Sequence, residues 1–149
     1  MTGVCMPLAI LAEAQAIEDE FAARGDWSSQ LQLLIEMGRR LPRLPEVART
    51  EDDRVDGCQS QLWVVVWSQG SRLRIEADSD ALVMRGVLSL ILRLYDDRAP
   101  GAALAHLRGS GGLSIVERLA PSRANGLRAL ISRIEDAASR MQSNAGSEW

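Results

Sequence analysis

The chain has 149 residues, 46% of them hydrophobic, a formal net charge of -3 and two cysteines. This length and composition suit one globular domain that buries roughly 70% of the surface its unfolded chain exposes and needs no disulfide or metal staple. Its 17 basic residues are scattered, which argues against nucleic acid as a partner, and no apolar run is long enough to cross a bilayer.

The opening residues, MTGVCMPLAILAEAQAIEDEF, lack a basic n-region and turn acidic at Glu13, Glu18, Asp19 and Glu20, so neither an export signal nor an anchor is expected. The expected compartment is therefore the reducing cytoplasm, where Cys5 and Cys58 are free thiols rather than a pair. From Pro7 to Ala23, the apolar positions Leu8, Leu11, Ile17 and Phe21 predict an amphipathic helix that stops near Gly25. Asp26 or Ser28 caps a second helix with the stripe Trp27, Leu31, Leu34, Ile35 and Leu41, broken by Pro42 and Pro45. An acidic linker, TEDD, follows.

Residues 61–67, QLWVVVW, are β-branched and aromatic, SQGS reads as a turn, and RLRIEAD alternates Leu73, Ile75 and Ala77 with Arg72, Arg74 and Glu76. This predicts a hairpin whose first strand is central, with DRVD pairing as a third strand. Asp78, Ser79 and Asp80 read as caps of a mostly apolar central helix that ends near Tyr95. DDRAPGAALAHLRGSGG predicts a short helix or turn and then a loop at 108–112, and Leu127, Leu130, Ile131 and Ile134 mark a last helix over 121–141. Gly86 and Gly126 fall inside helices, which implies close approach of another backbone. Trp63, Trp67 and Met84 read as core. The expectation is an α+β fold, about three antiparallel strands against several helices, forming one domain over 1–149 with flexible termini at 1–6 and 142–149.

Cys5, Cys58 and His106 lie too far apart for a metal site with short ligand spacings. His106, among alanines and leucines, reads as a surface or half-buried helix residue, and no phosphate-binding glycine motif is placed between a strand and a helix. Cys58 stands apart: in RVDGCQSQLWVVV it precedes the apolar run instead of lying within it. Thiol chemistry needs such access together with some thiolate at neutral pH. On the local residues alone, a partly buried cysteine without a role fits equally well.

The run DRVDGCQSQLWV resembles the cysteine loop of the SufE/CsdE family of cysteine-desulfurase sulfur acceptors, close to NRVxGCQSxVW. ADSDALVMRGVLSLIL resembles that family's DSDAxIVRGLxALL, and LAPSRANGLRAL its LSPSRxNGLxAL. The three blocks stand in the family's order across residues 26–140. The resemblance implies an accessory protein rather than a stand-alone enzyme. It accepts sulfur on Cys58 as a persulfide from a pyridoxal-phosphate desulfurase of the SufS/CsdA kind, and hands that sulfur to an iron–sulfur scaffold. No resident metal or cofactor is implied, and the chain is expected as a monomer or weak homodimer. Gly57, Gln59, Ser60, Asp78, Arg85 and Arg123 are the implied partner contacts. Asp78 and Arg85 read as structural before they read as recognition, and Arg123 reads equally as a structural arginine of a first helical turn. The resemblance also points to a cysteine that is sheltered until the partner docks.

The sequence departs from the family pattern at Asp53, where Asn is usual, at Ala120, where Ser is usual, and in the glycine-rich AHLRGSGGLSIVERL. Two other functions are weighed. An iron–sulfur scaffold would need about three ligating cysteines, and an interaction module that binds a desulfurase without carrying sulfur would not need the GCQSQ loop.

Overall fold

The computed structural model describes residues 8–45, 49–55, 61–109, 113–119 and 121–147. Helix α1, Leu8–Ala22, turns its Ile10, Ile17 and Phe21 inward, and Gly25 at φ +84° reverses the chain after it. Helix α2, Trp27–Arg40, is capped by Asp26, whose carboxylate accepts the Ser29 N–H at 2.8 Å. That hydrogen bond holds the Asp26 carboxyl below the usual carboxylate range. Strands β1, Leu62–Gln69, and β2, Arg72–Ser79, form one antiparallel hairpin about Gly70–Ser71, in register from Leu62 opposite Ser79 to Gln69 opposite Arg72. Gly70 takes φ +61°, as a two-residue hairpin turn requires.

Helices α3 (Leu82–Tyr95), α4 (Pro100–Gly109), α5 (Ser114–Glu117) and α6 (Pro121–Ser147) complete the order. The hairpin lies between helices, with α3 on β2 and α6 on β1, while α2 packs along α3 and α4 along α6. One apolar cluster joins them, centred on Leu34, Leu62, Leu73, Met84, Leu88, Leu130 and Ile134. The α+β class and the central apolar α3 agree with the sequence reading.

Several expectations change, among them Trp67, which is half-buried rather than core, and Leu8 and Leu11, which are exposed. The sheet has two strands among the described residues, because before the loop only Arg54 bridges to Trp63, and residues 51–53 coil into a 3₁₀ turn rather than continuing as strand. In α2 the core face is Leu33, Leu34, Met37 and Gly38; Trp27 and Leu31 only pack at its margin. The helix is rotated because it docks through glycine: a Cβ on Gly38 would collide with the Leu82 carbonyl and lie 2.9 Å from the Gly86 nitrogen. Residues 142–147 of the expected flexible tail are helical, since extending an anchored helix avoids the cost of nucleation. His106 is buried rather than surface or half-buried, because α4 turns it against Tyr95, whose hydroxyl lies 2.8 Å from His106 Nδ1.

Gly86 meets its sequence expectation, since a Cβ there would collide with the Leu34 carbonyl of α2. Gly86→Ala is expected to cost about 1–3 kcal/mol by forcing α2 and α3 apart. A urea denaturation midpoint equal to that of the parent chain would refute this.

The Tyr95–His106 pair also makes stability depend on pH at both extremes. Burial holds the His106 imidazole below its ordinary value and pushes the Tyr95 phenol up to about 12. Below about pH 6.5 the unfolded chain takes up a proton that folded His106 refuses, so stability falls with pH down to the folded pKa and is complete above 6.5. Between about pH 10 and 12 the unfolded tyrosine ionises first, and stability falls as pH rises. His106→Gln should flatten the acid limb and Tyr95→Phe the alkaline limb, as read from melting midpoints across pH.

Candidate functional site

The loop residues singled out by sequence, Gly57, Cys58, Gln59 and Ser60, lie outside the described residues, as do Cys5 and Ala120. The chain on either side of the loop is described, and both stems are held. On the incoming side, Thr50 Oγ donates to the Asp53 carboxylate at 2.9 Å and the Arg54 N–H donates to the Glu51 carbonyl, closing the 3₁₀ turn. Buried Val55 then donates its N–H to the Leu62 carbonyl at 2.7 Å. Asp53, where the family has Asn, is thus engaged in the turn that leads to the loop.

On the outgoing side the Gln61 backbone is bound at both ends. Its N–H donates to Asp80 Oδ1 at 2.9 Å, and its carbonyl accepts the Ser79 hydroxyl at 2.7 Å. This corrects the cap assignment: α3 has Ala81 at its N-cap with no side-chain cap, because β2 continues through Ser79 and draws Asp78 and Ser79 into the strand. Ser79 Oγ still accepts the Ala81 N–H at 3.2 Å, which ties the start of α3 to the same corner.

Asp78 and Arg85 come together as a buried ion pair, 0% and 3% exposed at their side chains. Arg85 also donates to the carbonyls of Gly38, at 2.9 Å, and Leu41. Asp78 accepts the Ser79 N–H at 2.8 Å, the Leu44 N–H at 3.0 Å and the Arg49 guanidinium at 3.2 Å. Arg49 lies over the Trp63 ring, 5.3 Å from its centroid. The pair therefore joins β2, α3 and the end of α2, the frame beneath the stems. Both side chains are buried, so neither offers a surface for direct contact with a partner.

Arg123 is half-buried in the first turns of α6. The α6 arginine that touches the incoming stem is Arg133, about 15 Å further along the helix axis at 1.5 Å per residue. It donates to the carbonyls of Asp52 at 3.0 Å and Arg54 at 2.5 Å. The sequence reading missed Arg133. Its only local signal is its place at the edge of the apolar stripe, three residues after Leu130 and four before Ala137, both buried. A separate apolar hollow of about 270 Å³ between α1, α3, α4 and α6, with Tyr95 and His106 in its wall, opens near the far end of α3 from the stems. Among the described residues no helix is long and apolar enough to cross a membrane.

Comparison with known proteins agrees with this picture. Residues 15–138 match the family model described as SufE, Fe-S metabolism associated domain. An uncharacterised SufE-like protein of Rhizobium meliloti is 35% identical, covering 82% of this chain and 91% of the relative. A second, from Rhizobium etli, is 34% identical, covering 86% and 90% respectively. A solution structure of a hypothetical protein from Thermus thermophilus superposes with a TM-score of 0.70 at 20% identity, over 88% of this chain and 96% of that one, and so shares the fold.

Proposed function

This chain belongs to the SufE family, whose domain is associated with Fe–S metabolism, and from that premise we propose that it accepts sulfur from a pyridoxal-phosphate cysteine desulfurase on Cys58. The Cys58 thiolate attacks the terminal sulfur of the desulfurase's cysteine persulfide. The bond between that sulfur and the partner's cysteine breaks, the partner's thiolate leaves, and a persulfide stands on Cys58. The sulfane sulfur passes on to an iron–sulfur scaffold by the same exchange. No net oxidation occurs, so the chain needs no cofactor of its own, and the reaction suits the reducing cytoplasm.

The observation that carries this reading is the position of the cysteine in a family-matched chain. It sits in a five-residue span whose flanks are brought together by the Val55–Leu62 hydrogen bond and the Asp80 and Ser79 bonds to Gln61. Stems held in this way fix where the span begins and ends. Gly57, Gln59, Ser60 and Arg123 are proposed to contact the desulfurase, and Asp78 and Arg85 to support them from beneath.

The test is to incubate the chain with a cysteine desulfurase and cysteine and measure its intact mass. A gain of one sulfur, mapped to Cys58 and removed by reductant, is expected. Stable binding without added sulfur would instead favour an interaction module.

A further inference from the structure

We propose that Arg133 is a positioning residue that sets where the chain enters the Cys58 loop and hence how Cys58 meets its partner. The consequence for transfer rests on the reading of Cys58 as a sulfur carrier; the positioning itself does not. The guanidinium reaches across 79 and 81 residues of sequence to two carbonyls on the incoming stem, those of Arg54 and Asp52. These carbonyls flank the end of the 3₁₀ turn, where backbone acceptors lose their helical donors and need partners from elsewhere.

A guanidinium presents its donors in a rigid planar fork, so it can serve both carbonyls only when the stem occupies one position relative to α6. That restraint is needed here. Among the described residues beyond the 3₁₀ turn, the stem is tied to the sheet by one bridge, Arg54 opposite Trp63, of which the Val55–Leu62 bond is part, far less than a full strand would have. Helix α6, packed along α4 and β1, supplies a stiff reference. The two stems are thus held from two remote parts of the chain: the incoming one by α6 through Arg133, and the outgoing one by the β2–α3 corner through Ser79 and Asp80.

The test compares full-length Arg133→Met, which keeps the aliphatic stem, and Arg133→Lys, which keeps the charge but lacks the rigid planar fork. Alkylation of Cys58 and Cys5 is followed in the same sample by peptide mapping, and single-turnover sulfur transfer from a desulfurase is followed by mass. In Arg133→Met the ratio of Cys58 to Cys5 alkylation should rise at least about threefold, and transfer should slow by a similar factor, on the scale of one or two lost hydrogen bonds. Arg133→Lys should fall between it and the parent chain. A lower melting midpoint with an unchanged alkylation ratio would mean a purely structural arginine and would overturn the proposal. Should Arg133→Met fail to fold, the ratio in Arg133→Lys decides in the same way. If the parent chain takes up no sulfur, the proposed function fails, while the alkylation ratio still decides the role of Arg133.

Discussion

Asp78→Asn is expected to destabilise the protein by about 3–5 kcal/mol, the usual cost of breaking a buried ion pair by removing one partner. The size of the effect follows from what is left behind. Without the carboxylate, the Arg85 guanidinium stays buried with no counter-charge, facing only the neutral oxygens of an amide and of the Gly38 and Leu41 carbonyls. Leu44 and Ser79 lose a charged acceptor for their N–H groups, and Arg49 loses its anionic partner, keeping the Leu44 carbonyl and the Trp63 ring. A domain with a total stability of about 5–15 kcal/mol would then be close to unfolding at modest denaturant. The control is the double variant Asp78→Asn with Arg85→Met, which removes the stranded charge as well. It should recover part of the loss, because most of the cost of breaking a buried pair comes from the charge left without a partner. If urea denaturation finds the single variant within about 0.5 kcal/mol of the parent, the scale of an exposed substitution, then the pair does not hold the frame.

Cys58→Ser is expected to abolish sulfur uptake and any stimulation of the desulfurase while leaving the fold in place. Serine preserves the shape of the side chain, but its hydroxyl is scarcely ionised at neutral pH and cannot hold sulfane sulfur, whereas a thiol can do both as its thiolate. Cys5→Ser should be silent. Intact mass after incubation with desulfurase and cysteine measures the first effect, and turnover of the desulfurase with and without the chain measures the second. Full stimulation by Cys58→Ser would end the carrier reading and leave a binding role. Loss of uptake in Cys5→Ser would reveal a relay between two thiols.

Much of the site was legible in local sequence because it depends on local chemistry. The alternation Leu73, Ile75, Ala77 specifies which face of β2 is buried, and all three are buried as expected. The apolar run before Tyr95 specifies a helix that can only be central, and Asp26 caps α2 as its side chain allows. Gly86 foretold a close helix crossing, since an interior glycine is otherwise a cost without a return. The GCQSQ motif drew attention to Cys58 through its composition and its place before the strand.

What tertiary structure alone decided concerns groups that find their partners far along the chain. Asp80 reads locally as a helix cap, yet its carboxylate binds Gln61, because the hairpin register sets Ser79 opposite Leu62 and brings the corner to the loop. The stripe of α2 reads from period as Trp27, Leu31, Leu34, Ile35 and Leu41; Leu34 and Leu41 are buried, yet Gly38 also turns Leu33 and Met37 inward by admitting the α3 backbone. DRVD has the look of a strand, but a strand exists only where a neighbour's backbone groups are in reach, and there Arg54 makes one bridge. Arg133 is an ordinary helix-edge cation until α6 docks on β1 and brings it to the carbonyls of Asp52 and Arg54. Periodicity and capping are encoded within a few residues, and so the sequence by itself determined most of the elements and singled out Cys58. A hydrogen bond across 79 residues is encoded only in how those elements pack, and so the packing decided which side chains hold the stems of the loop.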